Sequence, residues 1–381
     1  MSKRFIVNLC VFAISLYLAR KWKETRISAF FTGYEVTCIP SALNEEQNKE
    51  LWHLLLGERL NANNDFESTD NHKRPDVARH YLKHGGIEGF KEREATLKAR
   101  LSYFTSGRHK LSQLPGNVLS LIVDSIRSRC HNDHNLDFDT SSFYFQVLLP
   151  GQTTALRVDT PTSIGNSLHD EWLLSAAASS GLFHKSLRTS SKAVVFLNKW
   201  NSSKFEGSLV YYDKNELQAK NAGNERNSIV LLTGTHTVHG ITAFRSSHLP
   251  RSLIGLSDLS MNYDQKEQIW TVHSKNTPIR TFRSESLHVS VVAHGVCVPD
   301  EDANALPTQD VLLQMLKDDL VESKGFSKKR IEEAGRNALQ DLIIQEYLAY
   351  PPPGKALIPF NYCSFIDLYP KLFSFLKPLC W

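Results

Sequence analysis

The marks that would settle a function at once are missing from this sequence. It has no Gly-x-Gly-x-x-Gly, no phosphate-binding loop, no Gly-x-Ser-x-Gly elbow and no His-Glu-x-x-His, so several large enzyme classes lack their usual signatures. No two of the six cysteines, at 10, 38, 130, 297, 363 and 380, are spaced Cys-x-x-Cys, which removes a zinc ribbon and a thioredoxin-type redox pair. An excess of one charge is also lacking: 44 basic against 40 acidic residues leave +4, with no concentrated basic stripe, so nucleic acid is not an expected partner. No apolar run reaches the ~20 residues of a spanning helix. At 41% hydrophobic and 22% charged, the 381 residues are those of a folded protein, not a disordered tail, a collagen or a polytopic membrane protein.

The longest apolar run, Phe5 to Ala19, has 15 residues between Lys3-Arg4 and Arg20-Lys21. No small-x-small cleavage site follows, so residues 5–19 are expected to act as a membrane anchor or uncleaved signal. A membrane-anchored protein, with the endoplasmic reticulum as the candidate location, is the reading. The side of the membrane stays open: basic residues after the run lean towards a cytoplasmic barrel, whereas the triplet Asn201-Ser202-Ser203 points the other way. Cys10 lies in this run. The five cysteines beyond it are an odd number for a disulfide framework and fit a reducing compartment better than an oxidising one.

Four regions follow from texture: residues 1–28 as anchor or signal, 29–139 as a helical support with a polar insertion, 140–300 as the strand-rich core, and 301–381 as a helical extension. Tyr34 to Pro40 alternates like a strand, and Ser41 opens a helix carrying Leu51, Trp52 and Leu54 to Leu56. Residues 60–112 are polar and read as a partly irregular insertion, before a second helix over Leu114 to Arg129. From Phe143 the chain turns to short strands: FYFQVLL, KAVVFLN, SLVYY, SIVLL, SLIGLSDL, IWTV and LHVSVVAHGV. Strands this short and numerous, without long helices between them, predict a sandwich or barrel. Helical periodicity returns after Pro307, and Phe360 to Trp381 is expected to pack on the barrel.

Chemistry must then come from histidines and carboxylates on strands. Arg157 and Asp159 are two apart and share a strand face. His239 follows a turn at Thr233-Gly234, and Arg251 comes twelve residues later. FQVLLPGQTTALRVDTP, KAVVFLNKWNSSKFEGSLVYYD, GTHTVHGITAF and PRSLIGLSDL, in this order, resemble the Fe(II)/2-oxoglutarate dioxygenase superfamily, in particular its prolyl 4-hydroxylase-like branch. The resemblance covers roughly residues 34–275. It implies a mainly β fold with flanking helices around a double-stranded β-helix (jelly-roll) core. It also implies Fe(II) and 2-oxoglutarate as cofactors, and hydroxylation of a peptidyl side chain or small metabolite. Two imidazoles and a carboxylate would hold the metal. Carried over, Asp159 is the carboxylate ligand, His239 the distal imidazole and Arg251 the cosubstrate anchor.

One position departs. Where the pattern has its first histidine, this chain has Arg157, whose guanidinium offers no lone pair. His169 and His236 are the candidates for a third ligand. The alternative is a catalytically degenerate double-stranded β-helix that binds a ligand or protein, with Arg157 and Asp159 as an ion pair. His288 and His294 share a face of their strand but carry no further mark, and the Cys130 to His134 cluster reads as a solvated turn.

Overall fold

The computed structural model describes residues 36–65, 94–130, 134–163, 169–198, 206–212, 220–244, 253–299 and 305–347. The expected anchor, Arg251 and the Phe360 to Trp381 segment lie outside these residues. Among the described residues no helix is long and apolar enough to cross a membrane.

Strand β1 (Thr37–Ile39) leads into helix α1 (Glu45–Leu56), whose N-terminus is closed by Asn44 and Gln47 in a capping box. The polar insertion is more ordered than its composition suggests. It forms β2 (Leu60–Asn64), α2 (Glu94–Arg100), β3 (Ser102–Thr105) and β4 (His109–Lys110). Helix α3 (Gly116–Arg127) starts behind Pro115 and buries Val118, Ile122 and Ile126.

The barrel strands are β5 (His134–Leu148), β7 (Leu187–Phe196), β8 (Leu209–Tyr211), β9 (Lys220–Gly223), β10 (Ile229–Thr233), β11 (His239–Ile241) and β15 (His288–Pro299), with β6 (Thr162–Ser163) a short partner of β7. They divide between two sheets. The larger has the order β1-β10-β7-β15-β5-β3-β2, and the smaller is β11-β8-β9, extended by the bridge between Arg157 and His239. The chain therefore alternates: β5 in the large sheet, the Arg157 segment in the small one, β7 back, β8 and β9 across, β10 back, β11 across, β15 back. Eight strands alternating in this way over two antiparallel sheets make a double-stranded β-helix.

Three differences from the sequence reading have clear causes. Ser252 to Leu259 alternates but is not a strand: Leu253 to Gly255 turn, and pairing begins only at Leu259 in β12 (Leu259–Asp264), which joins β13 (Ile269–Ser274) and β14 (Thr277–Phe282) as an extra ribbon beside β2. Helix α4 (Glu171–Ser180) lies between the Arg157 segment and β7, and is buried on nearly every side, so it shows no polar face to betray it. Cys130 and Cys297 are joined in a disulfide that ties the end of α3 to β15, which overturns the reading of these two as reduced thiols.

The core is layered by alternation. On β7, Ala193 and Val195 pack outward against α1 and α3, whereas Val194 and Phe196 meet Leu209, Val230 and Leu232 between the sheets. The C-terminal helices α5 (Gln309–Glu322), α6 (Lys328–Glu333) and α7 (Arg336–Tyr347) share a second apolar cluster with α4 and with Leu156, Val158 and Val210 of the small sheet.

Candidate functional site

Period-two alternation on β7 has a consequence at its start. If Val194 and Phe196 face the barrel interior, so does Lys192, and its side chain is 3% exposed. Its ammonium donates to Asp159 Oδ1 at 2.6 Å and to His239 Nε2 at 2.8 Å. The His239 ring donates from Nδ1 to the Thr237 carbonyl at 2.8 Å, which leaves the Nε2 lone pair directed at the lysine. Asp159 also accepts from Ser190 Oγ at 3.1 Å, and its backbone N–H donates to the Gly234 carbonyl at 2.8 Å. His294 faces the same carboxylate, with Nδ1 3.7 Å from Oδ2, and stacks on Tyr144.

Asp159 and His239 are thus brought together as expected, 3.9 Å apart at their nearest atoms. Arg157 does not pair with Asp159, which corrects the expected ion pair. Arg157 Nη1 donates to Asp65 Oδ1 and to the Tyr103 hydroxyl, both at 2.9 Å. Asp65 is itself held, accepting from the Ala155 N–H at 2.9 Å and from Tyr103 at 3.1 Å. The polar insertion supplies this counterion, so a guanidinium has a buried home of its own. The other candidate ligands are elsewhere. His169 donates to the Pro307 carbonyl at 2.7 Å, and His236 lines a cleft with His134, His184 and Thr233.

Burial and neighbouring charge set the protonation states. Lys192 is pulled down to about 8 by desolvation, against the opposing pull of Asp159. Asp159 is held far below the usual carboxylate range by Lys192 and the two imidazoles, which outweigh its own desolvation. Burial lowers His239 and His294 to about 3, Lys192 adding to the effect, and lowers His288, which donates to the Gly207 carbonyl, to about 4. At pH 7 the site is a carboxylate and a lysine ammonium between neutral imidazoles.

These three histidines predict acid lability. In the unfolded chain each takes a proton near pH 6.5, while in the fold each stays neutral to about pH 3–4. The unfolded state then binds more protons across that window, so stability falls as pH drops below 6.5. Three such groups remove on the order of 3 kcal/mol between pH 7 and 5.5. Urea midpoints against pH will read it. A flat profile over that interval would show that the rings are charged in the fold.

Gly234 makes the Asp159 arrangement possible. A Cβ there would overlap Asp159 Oδ2 and stand 2.7 Å from Ser190 Oγ. Gly234→Ala is expected to lose about 1–3 kcal/mol by overpacking, and more than an alanine at Gly107, where the space is open. Equal midpoints for the two variants would contradict this packing.

No protein-family profile and no curated protein sequence matches the chain. Solved structures do. It is similar to a Pseudomonas putida prolyl-4-hydroxylase at 8% identity, over 72% of this chain and 98% of that one, with a TM-score of 0.32. It is similar to a Trichoplax adhaerens prolyl hydroxylase in complex with a hypoxia inducible factor peptide fragment at 10% identity, over 76% and 94%, with a TM-score of 0.34. HygX from Streptomyces hygroscopicus, with nickel and 2-oxoglutarate bound, is similar at 12% identity, over 70% and 84%, with a TM-score of 0.31. The chain resembles the 2-oxoglutarate oxygenases. The likeness is distant, and the chemistry has to be read from this chain's own side chains.

Those side chains do not fit Fe(II). The resemblance assigns the metal to the space between Asp159 and the His239 Nε2 lone pair, and an ammonium nitrogen stands there. The position expected to give the other imidazole gives a guanidinium bonded to Asp65. Among the described residues no group of three or more His, Cys, Asp or Glu is arranged to hold a metal ion.

Proposed function

We propose that this protein is a double-stranded β-helix in which a lysine ammonium stands in the place of the metal, and that it binds a ligand instead of oxidising one. The observation that carries this reading is the position of Lys192 Nζ, within hydrogen-bond distance of both Asp159 and His239. Half of a metal site is kept: the carboxylate, and an imidazole whose Nδ1–H is fixed by a carbonyl, as metal-ligating histidines usually are. The cation that satisfies it is covalently part of β7. Arg157, with its own counterion, adds a second fixed charge and no lone pair.

The Cys130–Cys297 bond supports an oxidising compartment for the barrel. With the apolar segment at 5–19 as anchor, this favours the lumenal side of the endoplasmic reticulum, in line with the Asn201 triplet and against the basic flank.

The activity test is direct. Supplied with Fe(II), ascorbate and 2-oxoglutarate, the wild-type protein should release no succinate beyond what free iron produces. Succinate release that Asp159→Asn abolishes would overturn the proposal and restore the oxygenase reading.

A further inference from the structure

Arg157 is only partly used by the fold. A guanidinium carries five N–H donors, and Nη1 alone meets Asp65 and Tyr103. Among the described residues, Arg157 Nε and Nη2 meet no acceptor, although the side chain is only 23% exposed. Groups this enclosed are ordinarily bonded. The Tyr144 hydroxyl, on the neighbouring strand β5, likewise meets no partner among the described residues, while its ring lies on His294. Tyr144 feels the charges of Arg157, Asp159, Arg108 and Asp65, so these groups surround one region. Arg108, in the exposed turn between β3 and β4, also acts on Lys192 and His294.

The charges there do not cancel. Arg157, Lys192 and Arg108 face two carboxylates, Asp65 and Asp159, and both imidazoles are neutral at pH 7. One unit of positive charge remains, next to unused donors in a planar fork. Such a fork suits the paired oxygens of a carboxylate or phosphate and repels a metal ion.

We propose that the open edge of Arg157, with the Tyr144 hydroxyl and Arg108, binds a small oxyanion ligand, a carboxylate or a phosphate, beside Lys192. This rests on the reading of Lys192 as the resident cation, because a metal in its place would change the local charge. The ligand is held by donors alone and is not transformed.

The test uses the full chain in EDTA, titrated by calorimetry with inorganic phosphate and with succinate. Saturable binding of either is expected, and the tighter one names the class. Arg108→Gln and Tyr144→Phe lie outside the packed core and should keep the ligand-free melting temperature, yet each should weaken binding by roughly 3- to 10-fold. Arg157→Gln should abolish it. Absence of saturable binding by both anions would overturn the proposal, as would binding that both mild variants leave unchanged. Binding that appears only when Fe(II) replaces EDTA would overturn the Lys192 reading together with this site. Fe(II) binding that leaves the anion isotherm intact would overturn the Lys192 reading alone.

Discussion

Lys192→Ala is expected to lose about 3–5 kcal/mol of stability, the scale on which removal of one partner from a buried ion pair acts. Asp159, 12% exposed, would be left with the Ser190 hydroxyl, and the His239 Nε2 lone pair would face a void. Lys192→Met separates charge from packing, because it restores most of the volume but not the ammonium. If charge dominates, methionine should recover little of the loss. A divalent ion should recover more. With the lysine gone, Asp159 and His239 can share Mn(II) or Zn(II), and at a hundredfold excess over Kd a bound ion adds about 2.7 kcal/mol. The melting temperature of the alanine variant should rise with metal while the wild type stays still. A variant as stable as the wild type without metal would mean that the Lys192 ammonium is not the partner of Asp159.

The second large effect belongs to the disulfide. Cys130 and Cys297 are 167 residues apart, so their bond closes most of the barrel into one loop. Loop-closure entropy for that length amounts to about 5 kcal/mol. Cys297 is 1% exposed, so the suitable replacement is the Cys130→Ala/Cys297→Ala pair, which buries no new polar atom. The double variant should lose most of that amount in urea. Reductant should destabilise the wild type by the same margin and leave the variant unaffected. Equal midpoints for wild type and variant under oxidising conditions would show that the bond does not form.

The barrel was legible because β5, β7, β10 and β15 carry enough β-branched and aromatic residues for their periodicity to show. Asp159 and His239 were legible as a pair because a turn and a strand start mark each of them. Lys192 was not, although the signal existed: it stands two and four residues before Val194 and Phe196, on the same face. A lysine opening an apolar run reads as a strand boundary until the pairing His294↔Lys192 places it two strands deep in the sheet. That register also gives His294 its role, which its shared face with His288 could not. Asp65, Tyr103 and Arg108 come from a polar segment whose composition resembles a loop, and only the β2–β3 pairing brings them beside Arg157. The disulfide was out of reach for a simpler reason: six cysteines allow fifteen pairings, and nothing in their spacing selects one.

The claim that an ammonium stands where a metal would is tested most directly by anaerobic calorimetric titration of Fe(II) into the wild type and Lys192→Ala side by side. The account predicts no stoichiometric binding to the wild type and one bound ion per chain in the variant, with affinity lost again in Lys192→Ala/Asp159→Asn. One equivalent bound tightly by the wild type, at Asp159 and His239, would contradict it.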